Sequence, residues 1–267
     1  MIVASVLAAQ GGFPAPSIEE FDQPCWGGSL GTVFGYPVCF NRVGALMIVA
    51  AVIVLALFLA AFSNPKRVPR GIQNVMEVGV DFVRNNIVLE VIGPKGLPYM
   101  PYLLSLFFFI LFCNLMGVVP PFLFPVNSRI ALPLFMALVS WVVFNIAGIR
   151  EQGLGPYLRN NLFPAGVPWP LYLLITPIEF VSTFLVRPFT LAVRLLANMI
   201  AGHLVLAVFF LGAAYLVQRP VTAVFAIGSF AAAIVFVLFE LLVAALQAYI
   251  FTILNAVYLA GALEPEH

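Results

Sequence analysis

VTAVFAIGSFAAAIVFVLFELLVAALQAYIFTILNAVYLAGAL, residues 221–263, is the stretch on which the fold turns, because Glu240 is its only charged side chain. A helix of that length measures roughly 60 Å, about twice the hydrocarbon thickness of a bilayer. No soluble domain hides such a segment easily. Further apolar runs lie at 45–62, 97–128, 130–149 and 195–217. Several reach the roughly 20 residues that a spanning helix requires. Strict apolar-polar alternation, the mark of a membrane barrel, is absent.

Composition agrees: 63% of the 267 residues are hydrophobic and 9% are charged, against about 25% charged in ordinary soluble domains. Mean hydropathy is +1.09. A net charge of +1 gives no overall attraction to nucleic acid. Neither a Gly-rich phosphate loop, nor zinc-ligand spacing, nor a Gly-x-Ser-x-Gly elbow occurs, so no cofactor or metal is expected, and no enzyme activity of the chain alone. Residues 1–10 include a short apolar stretch, but no basic residue precedes it and no long apolar core follows, which reads against a signal peptide. Of three cysteines, Cys25 and Cys39 could pair if the leading tail faces an oxidising exterior, or both could be free thiols.

Residues 1–42 read as an irregular, acidic, extracytoplasmic tail, with Pro14, Pro16, Pro24 and Pro37 beside Glu19, Glu20 and Asp22. Residues 43–267 form the membrane domain. Its first span, about 45–63, ends at the basic stop Lys66-Arg67-Val68-Pro69-Arg70, which stays inside by the positive-inside rule. Between 71 and 92, Ile72, Val75, Met76, Val80, Val83 and Ile87 recur at helical steps opposite Gln73, Asn74, Glu77, Asp81 and Arg84. That pattern predicts an amphipathic surface helix. Two spans follow at about 100–124 and 130–149, joined at a corner holding Pro120-Pro121 and Pro125. Two long spans, about 171–211 and 221–262, then have to tilt, bend or protrude. Seven Lys and Arg fall inside (Lys66, Arg67, Arg70, Arg84, Lys95, Arg150, Arg159) and three outside (Arg42, Arg129, Arg219). The balance places the N-terminus outside and the C-terminus in the cytoplasm.

Ionisable groups within spans each cost at least about 2.5–3.5 kcal/mol and so call for a reason. On a straight helix with Arg194 at zero, Arg187 falls at about +20°, Asn198 at about +40°, Thr183 at about −20°, Thr190 at about −40° and Glu179 at about −60°. Six polar side chains thus share one stripe, about 28 Å long by helical rise, with a disturbance expected at Pro188. His203 points about 180° away from Arg194. On the last span Glu240 and Gln247 share a face, about 20° apart. A carboxylate and an imidazole on neighbouring antiparallel helices suit a hydrated proton pathway, since each can hold or release a proton. Plainer roles stand beside these. Arg194 could snorkel or pair with a carboxylate, Arg187 suits an interfacial anchor, His203 a packing residue, and Asn198 and Gln247 interhelical amide links.

The run Arg187-Pro188-Phe189-Thr190-Leu191-Ala192-Val193-Arg194-Leu195-Leu196-Ala197-Asn198-Met199-Ile200-Ala201-Gly202-His203 resembles the signature of the a-subunit family of F-type ATP synthases. Cys113-Asn114-Leu115-Met116-Gly117-Val118-Val119-Pro120 is similar to that family's Asn-Leu-x-Gly-x-x-Pro hairpin, and Leu246-Gln247-Ala248-Tyr249-Ile250-Phe251 to its C-terminal segment. The likeness covers about residues 43–263.

The resemblance implies an all-α integral membrane protein of five transmembrane helices and one amphipathic helix. Its last two spans would tilt steeply against a ring of c subunits. Arg194 would be the stator arginine facing the ring carboxylates, with Asn198 and Gln247 near it. His203 and Glu240 would belong to an outer half-channel and Glu179 to an inner one. Implied partners are the c ring, peripheral b subunits, the rest of the complex and membrane lipid, in a bacterial plasma membrane. Some bacterial relatives carry an acid where this chain has His203 and a histidine where it has Glu240. Between Ser182 and Pro188 the chain is one residue longer than many relatives, which leaves the register of Glu179 open. Two other classes compete with this reading: a secondary transporter or channel with Arg194 as an anion site, and an electron-carrying subunit. The latter calls for axial haem ligands, yet His203 and His267 are the only histidines.

Overall fold

The computed structural model describes residues 13, 16, 24–26, 31–33, 36–38, 40–119, 122, 124–163, 171–218 and 222–263. Within the leading tail, β1 (Gly31–Val33) pairs antiparallel with β2 (Tyr36–Val38), Thr32 opposite Pro37. This short hairpin is a departure from the irregular tail expected. Cys25 is disulfide-bonded, Cys113 is free and buried, and Cys39 lies outside the described residues.

Everything else regular is helical. The helices are α1 (Arg42–Phe62), α2 (Ile72–Val83), α3 (Met100–Val118), α4 (Ala131–Gln152), α5 (Leu154–Leu162), α6 (Tyr172–Val181), α7 (Arg187–Val217) and α8 (Ala223–Leu263). A π-helical segment, Arg84–Ile92, continues α2, and a second, Ser182–Val186, joins α6 to α7. Five helical stretches among the described residues are long and apolar enough to cross a membrane: Arg42–Phe62, Pro94–Val118, Ala131–Gln152, Tyr172–Val217 and Ala223–Leu263. The second ends at Val118 rather than near 124, because Pro120 follows Val119: a proline disfavours the helical region for the residue before it and cannot donate to the helical ladder.

The chain divides into two compact units. The first comprises Met1–Val49, Cys113–Ser128 and Ala197–Ala245. There the Arg42 guanidinium donates to the Phe122 carbonyl at 2.9 Å and lies 5.0 Å from the Phe124 ring centroid. Phe209 stacks on Phe236 at 4.8 Å, and the Ser229 hydroxyl donates to the Phe209 carbonyl at 2.9 Å. These contacts tie α7 to α8.

The second unit comprises Ala50–Phe112, Arg129–Leu196 and Leu246–His267. Tyr102 of α3 donates to Ser140 of α4 at 2.7 Å, and the Ser140 hydroxyl in turn donates to the Met136 carbonyl at 2.8 Å. Gly153, at φ +84°, ends α4 and starts α5, a left-handed conformation that suits glycine. Its turn lays Tyr157 over Gly148, where a Cβ would strike the ring. The Tyr157 hydroxyl donates to Asn145 Oδ1 at 3.0 Å, and Gln152 Nε2 donates to the Ala262 carbonyl at 2.8 Å.

The surface helix is amphipathic in a less simple way than its spacing predicts. Met76, Val83 and Ile87 are buried, but Gln73 is buried with them, while Ile72 and Val75 are exposed. Gln73 explains itself: its side chain accepts from Lys66 N and donates to the Lys66 carbonyl, both at 3.1 Å, and also donates to Glu77 at 2.8 Å. It clamps the basic loop onto the start of α2.

Candidate functional site

Arg194 lies 22 residues beyond Tyr172, the start of the fourth span. Its flanks pack inward, for Leu191, Ala192 and Leu195 are all 2% exposed or less. With those neighbours committed to the interior, the arginine itself is left exposed. Among the described residues no hydrogen bond or ion pair engages it; the salt bridge found there joins Lys95 to Glu151, at 4.0 Å. Arg187, two turns earlier, is half-buried with its guanidinium 5.2 Å from the Tyr258 ring centroid. That cation–π contact makes it an anchor between α7 and the end of α8.

The six-residue polar stripe does not survive intact. Thr183 is buried at 1% exposure, whereas Thr190, Arg194 and Asn198 are exposed. A straight-helix projection puts all four within about 80°, and the π-turn at Ser182–Val186 is why it fails. Such a turn takes up one extra residue and rotates everything before it by about 100°. Glu179 accordingly moves from about −60° to about +40° relative to Arg194. Half-buried at the end of α6, it stays on the arginine's side of the span. The disturbance expected at Pro188 thus sits immediately before it: proline offers no N–H to the carbonyl four residues back, Phe184, and crowds it.

In the first unit a second group assembles. Glu240 of α8 is 7% exposed, and its carboxylate rests on Gly202 of α7: a Cβ there would collide with both carboxylate oxygens. Gly202 is therefore a seat. Beside it, a cavity of about 240 Å³ is lined by Asn198, Ala201, Gly202, Phe236, Glu240 and Val243 among others, room for several water molecules. The structure thus brings Asn198 and Glu240 to one cavity. His203, next to Gly202, is half-buried and is not among the lining residues. Gln247 is buried on α8, in the second unit with Arg194 and Glu179. No group of three or more His, Cys, Asp and Glu side chains gathers among the described residues to hold a metal.

Beneath the cavity runs a polar link for which periodicity gave no signal. Asn114, 1% exposed, donates to the Ala244 carbonyl at 3.2 Å and accepts from Asn127 Nδ2 at 2.8 Å. Ala244 lies one helical turn past Glu240, so the link fixes the part of α8 that carries the carboxylate. The hairpin motif around Asn114 was the one hint in the sequence.

Comparisons with known proteins bear on these residues. The family model described as ATP synthase A chain matches residues 44–260, which holds every residue of the site. The chain is 48% identical to ATP synthase subunit a of Frankia alni, over 98% of this chain and 90% of that one. It is 46% identical to the subunit of the same name from Parafrankia sp., over 97% of this chain and 87% of that one. With the Rhodococcus erythropolis subunit, identity is 40% over 95% and 92%. A match of this length and identity, on a chain with five membrane-length helices, places the protein in the ATP synthase A chain family.

Proposed function

We propose that this chain is the proton-translocating stator subunit of a rotary ATP synthase, set in a bacterial plasma membrane with its N-terminus outside and its C-terminus in the cytoplasm. It works beside a ring of c subunits and is held by peripheral b subunits. The observation that carries the reading is the exposure of Arg194 in mid-span, engaged by no side chain of the described residues. A charge in hydrocarbon costs at least about 2.5–3.5 kcal/mol, and this one is exposed. A partner from another chain would offset that cost.

An acid on a passing ring subunit meets that need. Guanidinium keeps its proton under all physiological conditions, so it draws each arriving carboxyl into the ionised form, promotes release of the carried proton, and blocks a direct leak between two offset half-channels. Protons enter from outside past His203 and Glu240, by way of the cavity at Asn198, and leave toward the cytoplasm near Glu179. Gln247 and Asn198 line the approach to the arginine. Each unit charge moved down about 100 mV releases about 2.3 kcal/mol, so rotation sums several protons for each ATP.

Replacement of Arg194 by alanine tests this in the intact complex. ATP synthesis in energised vesicles should fall to background while the complex still assembles. Synthesis at a near-normal rate in Arg194→Ala would end the proposal, and solute transport by the purified chain alone in liposomes would favour a transporter instead.

A further inference from the structure

We propose that the π-turn at Ser182–Val186 holds a buried water molecule between the indole N–H of Trp141 and the hydroxyl of Thr183. Both groups lie in membrane spans, α4 and the fourth span respectively. Each is buried and has no hydrogen-bond partner among the described residues: Trp141 Nε1 on one side, Thr183 Oγ1 on the other. The Trp141 ring packs edge-on against Phe184 with centroids 6.0 Å apart, and Phe184 follows Thr183 directly. Trp141 thus packs against the π-turn at the residue next to Thr183.

A threonine in a helix ordinarily satisfies itself. Thr190 donates back to the Val186 and Arg187 carbonyls at 2.8 and 3.0 Å, and Thr252 to the Ala248 carbonyl at 2.8 Å. Thr183, inside the π-turn, does not. The turn deprives the carbonyl of the same residue. In an α pattern the Thr183 carbonyl would receive the Arg187 N–H, but that N–H donates to the Ser182 carbonyl. In a π pattern it would receive residue 188, which is proline and has no N–H.

The chemistry of the two groups selects what bridges them. An indole N–H can only donate, while a hydroxyl both donates and accepts. The bridging group has to accept from Trp141 and exchange a hydrogen bond with Thr183, must be small enough for a buried site, and needs no counter-charge. Water meets all of these conditions. Leaving two buried groups unmade costs about 1–3 kcal/mol each, and bulk water does not reach hydrocarbon to relieve them. Helices that depart from the α pattern commonly do so where a water enters the ladder. The bound water stabilises the wide turn, and the wide turn sets the rotation of Glu179.

A density map of the intact complex at a resolution that shows ordered water is the test. Wild type should show a peak within hydrogen-bond distance of both Trp141 Nε1 and Thr183 Oγ1; Thr183→Ser should keep it and Thr183→Val should lose it. Absence of the peak in wild type overturns the proposal. So does a peak that persists unchanged in Thr183→Val. Should the valine variant fail to assemble, the wild-type and serine maps decide between the same two answers.

Discussion

Adding one methyl group at Gly202 should disable proton entry without dismantling the protein. The new Cβ would overlap both oxygens of the Glu240 carboxylate, and Glu240 is 7% exposed. What stands in the way is the free end of a flexible side chain and not backbone, so α7 and α8 need not separate. The carboxylate swings instead toward the cavity shared with Asn198 and Phe239. An off-rotamer side chain costs on the order of 0.5–1.5 kcal/mol, small beside the packing of two long helices. For a proton relay the same shift is large, because a misplacement of about 1 Å can lower a rate by up to about 10²-fold. The assay is passive proton uptake through the membrane sector in vesicles stripped of the catalytic head, driven by a potassium diffusion potential and normalised to assembled complex. Gly202→Ala should conduct about 10- to 100-fold more slowly than wild type. Shortening the acid in the same chain, Glu240→Asp, withdraws the carboxylate by roughly one carbon–carbon bond, about 1.5 Å, and should restore part of the loss. Wild-type conduction in Gly202→Ala, or no gain in the double variant, would show that the seat does not set the position of the acid.

Two further predictions concern the scaffold. Asn114→Ala removes the acceptor of Asn127 Nδ2 and the donor to the Ala244 carbonyl, leaving a buried amide unsatisfied at about 1–3 kcal/mol. Thermal unfolding of the purified membrane sector should show that loss, and a cycle with Asn127→Ala should be clearly less than additive; full additivity would mean the two amides are not coupled. Burial raises the Tyr157 phenol above its usual value, partly offset by the Asn161 side chain and the positive charge of Arg187. The folded state therefore favours the neutral phenol: its contribution is complete below pH about 10, the unfolded value, and is lost as pH climbs through the raised one. Tyr157→Phe should flatten the alkaline fall in unfolding temperature, at the expense of the bond to Asn145; an unchanged alkaline slope would rule out Tyr157 as its source.

What could be read in the sequence follows from which forces act locally. Hydropathy alone exposed five spans, since a bilayer demands a continuous apolar run whatever its neighbours do. Pro120 and Pro121 offered an equally local signal for the end of α3 at Val118, which a span drawn on hydropathy to about 124 overran. Arg194, His203 and Glu240 stood out because ionisable groups are rare in apolar surroundings. Thr183 was misplaced, for a straight projection makes no allowance for a π-turn, and one residue of slippage moves a side chain by about 100°. The fit of Glu240 onto Gly202 was hidden for a different cause. It depends on the register of α7 against α8, which no periodicity within either helix records. Asn127 and Trp141 gave no signal either, being ordinary residues until packing decided what lay beside them.

Two exposed helix faces of this chain support the proposal that Arg194 meets another helix rather than lipid. Along α1 the exposed positions include Ile48, Val52, Leu55 and Leu59, each 51–60% exposed, a row of large apolar side chains that acyl tails cover without penalty. Along α7 the exposed positions from 190 to 201 include Thr190, Arg194, Ala197, Asn198 and Ala201. Lipid tails have nothing to offer the guanidinium there, and the side chains beside it are small. A second helix suits this face, because alanine lets backbones approach closely and polar groups in hydrocarbon seek a partner across the contact. Interlocking large side chains would hold such a helix in one register. Small ones, with a single fixed charge among them, would give a carboxylate one place to pause and leave the rest of the face smooth, as the proposed ring would require.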